Sequence, residues 1–71
     1  MTIAMFVYGQ PESPRYALVK GNLRDWLREN RIPAMYSPIK RGWNVRVDRL
    51  GDVIALAESQ GIRVRLKGVL R

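Results

Sequence analysis

Seventy-one residues, 46% of them apolar, are enough for one small domain spanning residues 1–71 and leave no room for a second core. The absence of Cys excludes disulfides and thiolate metal sites, and the absence of His removes the commonest general base together with the commonest metal ligand. Thirteen Lys and Arg against six Asp and Glu leave a net charge of +7, and ten of the thirteen are Arg, the side chain best shaped for phosphate and carboxylate.

The chain opens on "TIAMFVY", residues 2–8, which has the composition of a strand. It has no basic leader, and its apolar run is too short for a signal peptide or a membrane span, so a soluble cytoplasmic protein is expected. "GQPESP" follows as a turn-rich connector. "RYALVK", residues 15–20, reads as the next strand, in a hairpin with the first. "GNLRDWLREN" reads as a helix over 22–31, with Asn22 as cap and Leu23, Trp26 and Leu27 inward. "RIPAMYS" returns as a strand over about 33–37, and "SPIKRG" turns the chain back, with Gly42 supplying a positive φ.

"WNVRVD" alternates Trp43, Val45 and Val47 with Asn44 and Arg46, as a half-buried strand does. "DRLGDVIALAESQG" then places Leu50, Val53, Ile54 and Ala57 on one helical stripe over 49–60, with Asp48 as N-cap and Gly61 as stop. "IRVRLKG" closes the chain as a strand over 62–67, with Ile62, Val64 and Leu66 inward and Arg63, Arg65 and Lys67 outward. Leu50, Val53, Ile54, Val45, Val47, Ile62 and Val64 are expected in the core.

Leu23-x-Asp25 superposes on Leu50-x-Asp52, and both helices lead into an Ile that opens a strand. Two such halves predict an α+β fold: a ferredoxin-like β-α-β-β-α-β two-layer sandwich with an extra N-terminal strand. A first competing reading makes residues 3–8 the first strand of that unit, followed by a longer helix with Gly21 inside it. A second is a winged helical fold, which needs a third helix.

"KRGWNVRVD" begins as the base-contacting strand of an RNA-recognition motif does, with Lys/Arg, Gly and an aromatic. The resemblance ends after three positions. In that family the third and fifth residues of the motif face away from the helices. Here that would turn Arg46 into the core, unpaired, at a cost of several kcal/mol. Trp43 is therefore expected in the core or at its edge.

The helices carry four Arg against four acids, whereas strands, turns and tails carry nine cations against two acids. All of the net charge thus falls off the helices, and in a two-layer fold it falls on the open sheet face and its rims. Lys40, Arg41, Arg46, Arg63, Arg65 and Lys67 are the expected binding residues. The expected partner is nucleic acid, gripped through its phosphates with little sequence specificity. The alternative is an acidic protein, bound by the same face or an exposed edge strand, with a homo-oligomer through that edge as one form. Tyr8, Tyr16 or Tyr36 would become a platform for a base if it lay on the outer face beside the Arg residues.

No convergent catalytic set is evident. Asp25/Glu29 and Asp48/Asp52 serve helix ends and local Arg pairs, and the serines have no base. Lys20-Gly21-Asn22 falls short of a phosphate loop, and the glycine-rich pattern of the acylphosphatases is missing. The expectation is no enzyme, no cofactor and no metal. A short Arg-rich chain of this composition is also what small phage proteins look like.

Overall fold

The structure is a computed structural model that describes residues 3–69; Thr2 of the first strand reading and Arg71 of the charge tally lie outside the described residues. The elements run β1 (Ala4–Gly9), β2 (Tyr16–Lys20), α1 (Arg24–Glu29), β3 (Met35–Ser37), β4 (Gly42–Arg46), α2 (Val47–Ser59) and β5 (Arg63–Val69). β1 and β2 form an antiparallel hairpin, with Phe6 opposite Lys20 and Tyr8 opposite Leu18. Its loop holds Pro11 and Pro14, whose fixed φ suits successive turns, closed by Ser13 N–H to Gln10 C=O and Tyr16 N–H to Ser13 C=O, each 3.0 Å.

The five strands form one mixed sheet in the order β3-β4-β2-β1-β5. β1 and β5 run parallel, and the other neighbours run antiparallel. This is an α+β fold, but the ferredoxin-like order expected from the repeat is not the order of the sheet. That order makes the first and last strands of the β-α-β-β-α-β unit neighbours. Here β1 lies between them and pairs with both.

The reason is in the side chains. The connector after β1 is short, so β1 must lie beside β2, whose other flank is taken by β4. β1 is also apolar on both faces, Met5 and Val7 on one and Phe6 and Tyr8 on the other, which suits an interior strand. β5, with a cation at every second position from Arg63, is better fitted to an edge, where charge discourages further pairing.

Both helices pack on one sheet face. Met5, Val7, Ala17, Val19 and Val45 from the sheet meet Leu23, Trp26, Leu27, Val53, Ala57 and Ile62 in one core. Trp26 lies inside it as expected, and its indole N–H donates to Gln60 Oε1 at 2.8 Å, linking α1 to the end of α2. Trp43 packs against the same core, so the Trp43/Val45 face is the helix side, and Arg46 points the other way.

Several local expectations are corrected. α1 is shorter than 22–31: Leu23, not Asn22, occupies the N-cap position, with no side-chain cap. Its C-terminal turn closes with Ile32 N–H to Leu27 C=O at 3.0 Å, over Arg31 at φ 54°. α2 starts at Val47 directly from β4, without a loop. Asp48 is therefore in the first turn and is not the N-cap; there its carboxylate faces the positive end of the helix. Val47, expected in the core, is 47% exposed, because the chain switches to helix there and Val47 N–H bonds Arg15 C=O at 2.9 Å. Val45, Val53 and Ile62 are buried, Leu50, Ile54 and Val64 are half-buried, and Leu66, expected inward, is exposed on the edge strand β5.

The positive φ of the β3–β4 turn belongs to Arg41, at 53°. Gly42 lies in β4 for want of space: a Cβ there would stand 3.0 Å from both Lys20 Cγ and Val19 O. No helix among the described residues is long and apolar enough to cross a membrane.

Candidate functional site

The sheet face opposite the helices is open, and strand alternation decides what it carries. Residues paired across neighbouring strands share a face. Phe6 is flanked by Lys20 of β2 and Arg65 of β5, and Ala4 lies opposite Arg63. Leu18, fully buried but outside the main core, lies between Tyr8 and Asn44 and supports the platform from the middle. Tyr16 lies opposite Arg46 near the other end.

The geometry at Phe6 depends on an irregularity in β5. Val7 pairs with Leu66 but Tyr8 with Gly68, so the ladder skips Lys67. A bulge of this kind re-aims the extra side chain. Gly68, at φ 84°, lets the backbone make the step. Lys67 Nζ consequently stands 5.5 Å from the centre of the Phe6 ring, and Lys20 Nζ, arriving from β2, stands 5.2 Å from that of Tyr8. Each such contact contributes about 0.5–1 kcal/mol at an exposed site. The result is two adjacent half-buried aromatic rings, each with a lysine over it, bordered by Arg65 and Arg63.

The six expected residues separate into groups. Arg63, Arg65 and Lys67 come together on β5 beside Phe6. Arg46 lies on the same face at a distance, with β2 and β1 between it and β5, and its Nε is 3.4 Å from Asp48 Oδ1. Arg41 is exposed in the turn. Lys40 joins neither group: its ammonium donates to Glu12 Oε1 at 2.8 Å and to Gln10 Oε1. Buried Gln10 in turn donates to Asn44 Oδ1 at 2.8 Å. This network pins the β1–β2 loop to the β3–β4 turn and neutralises Lys40 in place.

Phe6 and Lys20 of this patch are not singled out by the sequence, whereas Tyr8 is one of the three tyrosines it offers as a platform on condition of lying on the outer face, as Tyr8 does. Lys20 was within reach, as the outward end of the Tyr16/Leu18/Lys20 alternation. Tyr36 is not on this face; it meets Trp43 on the helix side, ring centres 5.0 Å apart and nearly edge-on.

The distribution of acids sharpens the picture. Asp25, Glu29, Asp48, Asp52 and Glu58 lie in the helices and Glu12 in a loop, so no strand carries an acid. Asp48 and Glu12 pair with Arg46 and Lys40, whereas Lys20, Arg63, Arg65 and Lys67 have no ion-pair partner among the described residues, so the positive charge is unopposed at the β1–β5 end of the face. Among the described residues no cluster of Asp and Glu is arranged to hold a metal ion.

The Lys40 ammonium, by its hydrogen bond first, then Glu12's own backbone N–H and the charge of Lys40, holds the Glu12 carboxyl below its ordinary range. A folded-state value below the unfolded one stabilises the protein above the unfolded carboxylate range. That contribution is lost as pH falls through the folded value. Urea unfolding midpoints of wild type and Glu12→Gln should therefore differ at pH 7, with wild type higher, and converge at about pH 2. A gap that persists in acid would show that Glu12 acts by something other than its charge.

No family model matches this chain, no curated protein matches it in sequence, and no solved structure matches it in fold.

Proposed function

We propose that this protein binds nucleic acid on its open sheet face, with Lys20, Arg63, Arg65 and Lys67 holding phosphates and Phe6 and Tyr8 offered to the bases. The observation that carries the reading is that aromatic rings and cations interleave at the β1–β5 end of the open face, where no acid pairs with the cations among the described residues. Aromatic platforms set in a positive groove are how proteins bind nucleic acid with little regard to sequence. Contacts made through phosphates and stacked rings carry little sequence information, so specificity should be low. Arg46 and Arg41 extend the positive surface beyond the central patch. Self-association through the β5 edge is disfavoured, since pairing β5 with itself would set Arg and Lys against Arg and Lys.

The test is an anisotropy titration with labelled single-stranded DNA, RNA and duplex DNA at about 20 mM salt. Binding to at least one is expected, with the logarithm of affinity falling linearly as the logarithm of salt rises, because condensed counterions are released. Failure to bind any of them at low salt would overturn the reading and pass the face to an acidic protein.

A further inference from the structure

Building on that reading, we infer that the ligand is single-stranded, that two successive unpaired bases stack on Phe6 and Tyr8, and that Lys20 and Lys67 leave these rings for the backbone phosphates as the bases arrive. Phe6 and Tyr8 are two residues apart on one strand and share a face, so their anchor points are about 7 Å apart. Successive bases of one duplex strand are about 3.4 Å apart and present only their edges. A duplex therefore cannot lay two neighbouring bases on these rings. A single strand, stretched to about twice that spacing, can.

The lysines give the site two states. With ammonium groups 5.2 Å and 5.5 Å from the ring centres, both rings are covered before any base arrives. A base stacking on the ring must displace the ammonium. Leaving an exposed ring weakens binding by about two- to fivefold, whereas base stacking strengthens it by about five- to 150-fold per base. The exchange thus favours the base, and the displaced ammonium, on its flexible stem, is already beside the incoming backbone. Lys20 and Lys67 come from the strands on either side of β1, so phosphates flanking the two bases have a cation on each side. Arg65, across from Phe6, adds a fixed charge on the β5 side.

The experiment compares a ten-nucleotide oligothymidylate with a ten-base-pair duplex, using the whole chain as wild type, Phe6→Leu, Tyr8→Leu, Tyr8→Phe and Lys67→Met. Wild type should prefer the single strand by at least about tenfold. Each Leu variant should lose at least about fivefold on the single strand and less than about twofold on the duplex, and Tyr8→Phe should bind as wild type does. Lys67→Met should lower the single-strand salt slope by about 0.7, the mark of one lost phosphate contact.

Circular dichroism establishes that each variant is folded. If Phe6→Leu is not, Tyr8→Leu supplies the same readout, and in wild type the Phe6 and Tyr8 ring protons should move upfield when the oligonucleotide binds. Equal affinity for duplex and single strand, or folded Leu variants that bind as wild type, would overturn this inference and leave the nucleic-acid reading standing. An unchanged salt slope in Lys67→Met would overturn the exchange. Wild type that binds neither oligonucleotide would overturn both readings.

Discussion

Gly21→Ala should remove about half of the protein's stability. Gly21 carries the chain from β2 into α1 at φ 139°, in the region of backbone space that only glycine occupies readily. A Cβ there would stand 2.3 Å from the Ala4 carbonyl oxygen. Ala4 cannot retreat, because it belongs to β1, whose pairing with β5 begins at Ala4 and Arg63. Overpacking against backbone and the strained φ together should cost about 3–5 kcal/mol. The whole stability of a chain of 71 residues is about 4–10 kcal/mol. Gly51 is the matched control: it lies in α2, and a Cβ there meets nothing within 4 Å. Gly51→Ala should raise stability by about 0.5–1 kcal/mol. Urea unfolding followed by circular dichroism reads both, and a Gly21→Ala midpoint near wild type would mean that the β1–β2–α1 corner is built differently.

The largest functional effect is expected from removing the central cations together. Each phosphate neutralised on a single strand contributes about 0.7 to the slope of log affinity against log salt. A Lys20→Gln, Arg65→Gln, Lys67→Gln variant loses three such contacts, so its slope should fall by about two. Across the decade from 1 M to 0.1 M salt that amounts to about a hundredfold loss of affinity at the lower concentration and little at the higher one. Two comparisons locate the effect. Arg24→Gln with Arg28→Gln removes both of the cations of α1, on the other layer, and should change binding far less than two of the three sheet substitutions would. Lys40→Gln should also bind nearly as wild type, because Glu12 already neutralises that ammonium. A hundredfold loss from the α1 pair, or none from the sheet variant, would place the interface elsewhere.

How far the sequence speaks for the fold differs from element to element. The stripe Val53/Ala57 and the alternation Ile62/Val64 against Arg63/Arg65 are strong because one side of each element is apolar and the other charged. They put the β5 cations on the outer face without any knowledge of the sheet. β1 has no such contrast: Met5, Phe6, Val7 and Tyr8 are all apolar, so periodicity cannot say which two face the helices. Where β1 sits is a choice between flanks of β2, made by tertiary packing, and it decides both the strand order and the aromatic content of the open face.

The turn chemistry misleads for a different reason. Glycine is the usual residue for a positive φ, yet that φ falls on Arg41, because Gly42 is needed one position later, where β4 runs close against Lys20 and Val19. Likewise Asn22 and Asp48 are good capping residues out of place, Asn22 one position before the N-cap Leu23 and Asp48 two positions after the N-cap Arg46. Lys40 looks like a free basic tip because its partner, Glu12, is 28 residues away and reaches it only through the folded hairpins. The bulge that turns Lys67 over Phe6 has no local signal beyond Gly68.

The central claim is that the open sheet face, and not the helix layer, is the binding surface. Two-dimensional NMR of the labelled protein, titrated with a ten-nucleotide single strand, tests it most directly. Phe6, Tyr8, Lys20, Arg63, Arg65 and Lys67 should show the largest shift changes, with smaller ones at Arg46 and none of note at Arg28, Asp52 or Glu58. Changes concentrated on α1 and α2, with the β1 and β5 signals unmoved at saturation, would contradict it.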